Sequence, residues 1–241
     1  SSLCFRRPTH AVVPGSTINL DSVKIGGYLD AVKFKNGQGS MTDQGSYHHG
    51  DLRAALLSGA ESLLREAGIE GLSLRRLAEN VGVSRSAPYH HFKDKHELLC
   101  ALAARGFTEL EALIEAAQLE REGDLEAGLR AFVSAYLSYA TEHPETYDLM
   151  FGRTIWKSGQ PTDELRGVAF RSFRRYAERI GELAQDVRLP KGSKPLRLAQ
   201  ASWATLHGLC RLLIDGIYIN RRDMEEISEE AVRLMLALVR G

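Results

Sequence analysis

One stretch of the sequence carries side chains whose types and order suit the reading of a nucleic acid. Between Leu72 and Phe92 a short apolar-faced run ends at Gly82-Val83, and Ser84 opens a second run holding Arg85, Ser86, Tyr89, His90 and His91. An arginine fork matches guanine O6 and N7 and discriminates by about 1–3 kcal/mol when both bonds form. Arg75 in the first run and Arg85, Ser86 and His90 in the second are therefore candidates for contact with base edges. Tyr89 is a neutral donor and Lys95 a cation, both suited to phosphate. Lys95 stands in the first turn of the next expected helix, where free N–H groups favour an anion and a cation is unfavourable to the helix dipole; a nearby phosphate rationalises it. Ser73 caps the first run, donates to phosphate, or does both. His91 packs within the module or touches phosphate.

The elements that position these groups follow from periodicity. Leu52, Ala55, Leu56, Ala60, Leu63, Leu64 and Ala67 recur at spacings of three and four, one apolar stripe of a helix expected to start at Asp51 and stop at Gly68. Leu74, Leu77, Ala78 and Val81 repeat the stripe in a second helix capped by Ser73. Gly82 breaks the chain, and Ser84 caps a third short helix reaching about Phe92. A fourth, long helix opens at Lys93-Asp94-Lys95. A pair of helices joined by so tight a turn lays one across the DNA backbone and the other in the major groove.

Here the sequence resembles a known family. Gly82-Val83-Ser84, then Tyr89-His90-His91-Phe92, then Lys95, then Leu98-Leu99 is similar to the signature of TetR-type (tetracycline-repressor-like) regulators. Tyr47 to Arg53 resembles the entry to the first helix in one branch of that family, and Trp203 with His207-Gly208 resembles the Trp-His-Gly element of that branch's C-terminal domain. The resemblance is strong over 47–106 and weaker over 107–241. It implies an operator-binding homodimer, a helical effector-binding and dimerisation domain, and release from an inverted-repeat operator by a small molecule. It also implies backbone contacts at Tyr89 and Lys95. Pro88 departs from the pattern, standing where many members carry Leu; its missing N–H forfeits about one helical bond.

The rest of the chain reads as helices at 124–141, 145–151, 162–187, 194–218 and 224–240, with breaks at Gly123, His143-Pro144, Gly159 to Pro161 and Leu189 to Gly192. No stretch alternates as a strand does. The expected fold is all-α: a three-helix helix-turn-helix module over 47–106, joined to a helical ligand-binding and dimerisation domain over 107–241. Residues 1–46, rich in Pro-Gly and Gly-Gly steps without helical period, are expected to be a disordered arm, and Met41 is a candidate natural start.

Formal net charge is zero, with 31 Lys+Arg against 31 Asp+Glu, so nucleic-acid binding rests on where a few charges sit rather than on bulk charge. Three widely spaced cysteines (Cys4, Cys100, Cys210) make neither a zinc spacing nor a disulfide framework, which fits a reducing cytoplasm. No membrane span or secretory signal is expected. His48-His49 and His90-His91 are adjacent pairs that diverge by about 100° on a helix, so no metal is expected; no cofactor is expected either.

Two features of the C-terminal part invite sharper readings. Arg171, Arg174, Arg175 and Arg179 line one helical face, either solvated or holding an anionic ligand or partner. Trp203, His207 and Gly208 suit a buried, hydrogen-bonded histidine beside a close helix approach, or a histidine facing a ligand. Tyr136, Tyr147, Phe151, Phe173, Trp203 and His207 form the candidate effector pocket, although aromatics at helical spacing also make ordinary core. Ile227, Ala231, Leu234, Met235 and Leu238 form a terminal stripe that needs covering, as two helices from each subunit of a dimer would do. The competing function is an all-helical sensor or enzyme without DNA binding. Against an enzyme, the chain has no GxGxxG, P-loop, HExxH or GxSxG and no convincing Ser/His/Asp set; no catalytic residue is assigned.

Overall fold

The computed structural model describes residues 47–119, 124–157, 159–186, 194–217 and 220–240. The arm expected over 1–46 and the breaks expected at Gly123 and Leu189 to Gly192 lie outside them. Among the described residues the secondary structure is helical throughout: α1 (Tyr47–Gly71), α2 (Leu74–Val81), a 3-10 turn (Ala87–His90), α3 (Lys95–Leu119), α4 (Leu125–Glu142), α5 (Pro144–Phe151), α6 (Arg153–Trp156), α7 (Asp163–Asp186), α8 (Pro195–Asp215) and α9 (Met224–Arg240).

The stripe of α1 is buried at Leu56, Leu57, Ala60, Leu63 and Leu64, against α2 and the start of α3. Ala55, expected on that stripe, is exposed, and Leu57 takes its place. The helix begins at Tyr47, ahead of the expected Asp51 cap, and Gly68 at φ 66° bends it sharply before Gly71. Ser73 caps α2 by accepting the Arg76 N–H at 3.1 Å. Gly82 ends α2 in the left-handed region (φ 75°, ψ 31°), which glycine enters without a Cβ penalty. At Gly59 an added Cβ would meet the Val81 side chain at 2.6 Å, so glycine lets α1 and α2 approach closely.

The third helix differs from expectation. In place of an α-helix from Ser84 to Phe92 the chain makes one 3-10 turn. In an α-helix the Pro88 N–H would bond the Ser84 carbonyl, and proline has none. That carbonyl instead accepts from Ala87 N at 3.0 Å, the tighter i→i+3 geometry. Pro88 and Phe92 are both buried beneath the turn.

From Lys95 onward α3 is the spine. Asp94 accepts the Glu97 N–H at 2.9 Å, and the Glu97 carboxylate reaches back to Lys93 N at 2.7 Å, a reciprocal cap. This amends the expectation of open donors beside Lys95, since two carboxylates occupy donors there. α3 packs on α1 at its start and on α4, α5, α6 and α7 along its length; α8 and α9 then cover α4. The helix α6 was not anticipated. One turn between Gly152 and Lys157 is too short to show a period, and it is fixed by the Trp156 indole donating to the Met150 carbonyl at 2.7 Å. The terminal stripe divides its work: Ala231 and Met235 are buried within the subunit, while Leu234 stays 56% exposed. Gly208, expected to admit a close helix, has nothing within 4 Å of an added Cβ.

Candidate nucleic-acid interface and effector cavity

The helix-turn-helix presents its polar side chains outward. Arg75, Arg85, Ser86, His90 and Ser73 are exposed, and Tyr89 holds its ring 57% exposed. A large aromatic held in water gains nothing from burial and is available to a partner. Glu79 brings the two arginines together: its carboxylate accepts from Arg75 Nε at 3.3 Å and lies 3.8 Å from Arg85 Nη2. Ser84 and Ser86 hydroxyls meet at 3.2 Å. His91 is half-buried with its ring against Phe92 and its Nε2 shielded from solvent, and Lys95 is half-buried. The side chains of His48 and His49 lie outside the described residues. Glu79 was missed in the sequence, although its place four residues after Arg75, on the same helix face, is a readable signal.

A polar network joins this module to the rest. Arg105 on α3 pairs with Glu61 on α1 and with Glu109 one turn on, the latter at 3.1 Å. The Glu61 carboxylate also accepts from His143 Nδ1 at 3.2 Å, at the α4–α5 junction. Tyr139 stacks on the His143 ring and donates to Glu109 at 3.4 Å. Near the start of α3, His96 Nε2 meets the Gln160 carbonyl at 2.8 Å, tying α3 to the loop before α7.

The six aromatic and histidine positions expected to form a pocket do assemble, but as one continuous cluster. Trp203 meets Tyr136, Phe151, Phe173 and Tyr176 edge-on, and His207 stacks on Tyr147 with ring centroids 5.5 Å apart. Tyr136 and Tyr147 are fully buried, so both are core. Tyr147 donates to His207 Nδ1 at 2.7 Å and faces the Tyr136 hydroxyl at 3.3 Å. Burial, and then the Arg211 charge, hold the His207 pKa below its usual value, which keeps the ring neutral and able to accept that bond. Burial pushes the Cys210 thiol up to about 12 and the Tyr176 phenol up to about 12.

A cavity of about 320 Å³ opens beside this cluster, between α3, α4, α7 and α8. Of the six expected residues, Trp203 alone reaches it among the residues lining its wall. The others on the apolar side are Phe132, Ile114 and Tyr176. Ser172, Arg175, Glu178 and Arg179 come from α7, and Glu111 and Glu115 from α3. Arg175 spans the mouth, 2.7 Å from Glu111 and 3.6 Å from Glu115. Part of the arginine face thus borders a cavity. Ser172 and Tyr176 were missed; their i, i+4 spacing on the buried side of α7 is the signal that marks them.

Comparison with known proteins bears on both regions. Residues 56–102 match the profile described as bacterial regulatory proteins, tetR family, and residues 129–237 match the tetracyclin repressor-like C-terminal domain. The HTH-type transcriptional repressor AcnR of Corynebacterium glutamicum is 30% identical over 190 residues, spanning 78% of this chain and 90% of that protein. A repressor of the same name from Corynebacterium diphtheriae is 36% identical over 101 residues, where this chain spans 42% of its own length and 46% of the relative's. A solved structure from Rhodococcus sp. RHA1, described as a protein with unknown function, superposes with a TM-score of 0.69 at 33% identity, covering 81% of this chain and all of that one. No helix among the described residues is long and apolar enough to cross a membrane. The chain belongs to the tetR family of bacterial regulatory proteins and is a DNA-binding transcriptional regulator.

Proposed function

We propose that the chain acts as a homodimeric repressor that leaves an inverted-repeat operator when a small molecule enters the cavity beside Trp203. The observation that carries this reading is the exposed Arg75–Glu79–Arg85 cluster on a helix-turn-helix whose spine, α3, also walls that cavity. Arg75, Arg85, Ser86 and His90 read base edges; Ser73, Tyr89 and Lys95 hold phosphates, and His91 packs behind them. The repressing sense is supported by the two corynebacterial relatives, both named as transcriptional repressors. Trp203 with His207-Gly208 supports membership of the branch with a Trp-His-Gly element.

Dimerisation runs through α8 and α9. Leu234 and Ile217 are 56% and 47% exposed, and Gly208 has open space beside it. A second copy covers such a surface as a four-helix bundle. Effector and operator are then coupled through α3, since a shift of that helix at Glu111 and Ile114 reaches α1 through Arg105 and Glu61. Such couplings are typically about 1–3 kcal/mol and reciprocal. No reaction is assigned to the chain.

The test is a mobility-shift assay with the DNA flanking the protein's own gene at low salt. A discrete complex displaced by specific competitor supports the reading, and the lack of one with every fragment refutes it.

A further inference from the structure

The wall of the cavity carries two hydrogen-bond donors with no acceptor. Ser172 is 7% exposed and lines the cavity, and its hydroxyl makes no hydrogen bond among the described residues. The indole N–H of Trp203, on the same wall, also makes none, whereas Trp156 and the neighbouring Tyr176 hydroxyl have partners at 2.7 and 2.6 Å. Serine can donate or accept; an indole only donates. Neither donor atom is sealed from solvent, so an acceptor on a ligand would take the place of water at each. The charges at the mouth behave in the opposite way. Arg175 is already paired with Glu111 and Glu115. An anion entering would have to displace two carboxylates from that guanidinium and would meet Glu178 on the same wall, and a bare cation, whether it displaces the guanidinium or meets Glu178, offers the two donors nothing to bond. The Phe132 and Tyr176 rings on the same wall, stacked at 5.4 Å with 22° between their planes, suit a flat apolar body.

We infer that the cavity takes a small, flat, uncharged molecule bearing a carbonyl-type acceptor, held by Ser172 Oγ–H and Trp203 Nε1–H above the Phe132–Tyr176 stack. This rests on the proposed reading of the cavity as the effector site. It goes further in naming the ligand's chemistry: acceptor required, formal charge refused. The volume, at the small end of the roughly 300–1,000 Å³ usual for ligand sites, fits a body of a few rings.

A matched series separates the possibilities. The probes are 2-acetylnaphthalene (neutral, with acceptor), 2-ethylnaphthalene (neutral, without acceptor), 2-naphthoate (anion) and 2-naphthyltrimethylammonium (cation), each titrated by calorimetry into the full chain. The acetyl compound is expected to bind about tenfold more tightly than the ethyl compound and than either ion. Ser172→Ala and Trp203→Phe are each expected to bring the acetyl and ethyl affinities to within about threefold, while ethylnaphthalene affinity in Ser172→Ala stays near wild type, which shows that the site remains folded. Equal binding of the two neutral probes, tighter binding of either ion, or binding of none overturns the assignment. The same titrations run with operator DNA present keep the two readings apart: acetyl-selective binding that leaves operator affinity unchanged refutes the effector role but not the ligand class.

Discussion

Arg105 on α3 and Glu61 on α1 form an ion pair across the boundary between the DNA-reading module and the rest of the subunit, both side chains about four-fifths shielded. Glu61 serves a second donor, His143, so one carboxylate joins three helices. Without Arg105 the Glu61 carboxylate loses a partner in a shielded site and, among the described residues, keeps only Arg65 and His143. Arg105→Ala is expected to lower stability by about 1–3 kcal/mol, less than the roughly 3–5 kcal/mol seen for fully buried pairs. Glu61→Gln should cost a similar amount, and the double variant less than the sum of the two. Urea denaturation of the four proteins measures this; additive losses would show that the pair carries no coupling.

Glu79 pairs with the two arginines proposed to read bases, and in that docking its negative charge would face the DNA. Glu79→Gln is expected to raise affinity for a random duplex by about two- to fivefold at low salt. The effect should vanish in an Arg75→Ala/Arg85→Ala background if Glu79 acts through them. Fluorescence anisotropy with labelled random duplex checks both, and an unchanged gain in that background would assign Glu79 to simple charge repulsion.

Pro88 sets the 3-10 turn. Pro88→Ala returns an N–H to the Ser84 carbonyl and favours an α-turn, rotating Arg85 and Ser86 relative to Tyr89. The bases preferred in a selection from random DNA are expected to change at the positions Arg85 reads, while the salt dependence stays as in wild type. An unchanged preference would mean that the turn geometry does not place the readers.

How much of this was open to the sequence depends on the range of the physics. The extents of α4, α5, α7 and α9 were legible to within a residue or two, because apolar period, His143-Pro144 and Pro161 act locally. The conversion of the third helix turned on which carbonyl Pro88 deprives, a consequence of one missing N–H that periodicity does not report. The cavity was less legible. Tyr136 and Tyr147 are as aromatic as Trp203, but only packing among α4, α5 and α8 decides that they are core and that Trp203 faces open space. Ser172 reads as an ordinary helical serine until its surroundings are known.

His207 provides a pH signature. Its folded pKa lies below the 6.5 of the free group, so the unfolded chain binds the extra proton first. The stability this ring contributes is therefore complete above about pH 6.5 and is lost as pH falls through the lowered folded value. His207→Gln keeps an acceptor for Tyr147 and removes the titration. The difference in unfolding free energy between wild type and variant should shrink as pH falls from about 7 to about 5; a pH-independent difference contradicts a neutral, half-buried His207.

Leu234 tests the assembly. A charge at the centre of an apolar contact is expensive, so Leu234→Glu is expected to give monomers at micromolar concentration with helix content retained. Light scattering with circular dichroism measures both, and a variant that is still dimeric would move the interface elsewhere.

The central claim, that this chain reads DNA as a symmetric pair of helix-turn-helix modules, is tested most directly by footprinting on the sequence selected from random DNA. Two protected half-sites in inverted repeat are expected, their centres one helical turn or a multiple of about 34–36 Å apart. Arg85→Ala should relax the preference at one base of each half-site at a cost of about 1–3 kcal/mol, and Lys95→Ala should weaken all sequences alike and lower the salt slope by about one. A single unpaired site, or a selection that enriches no sequence at all, would contradict the account.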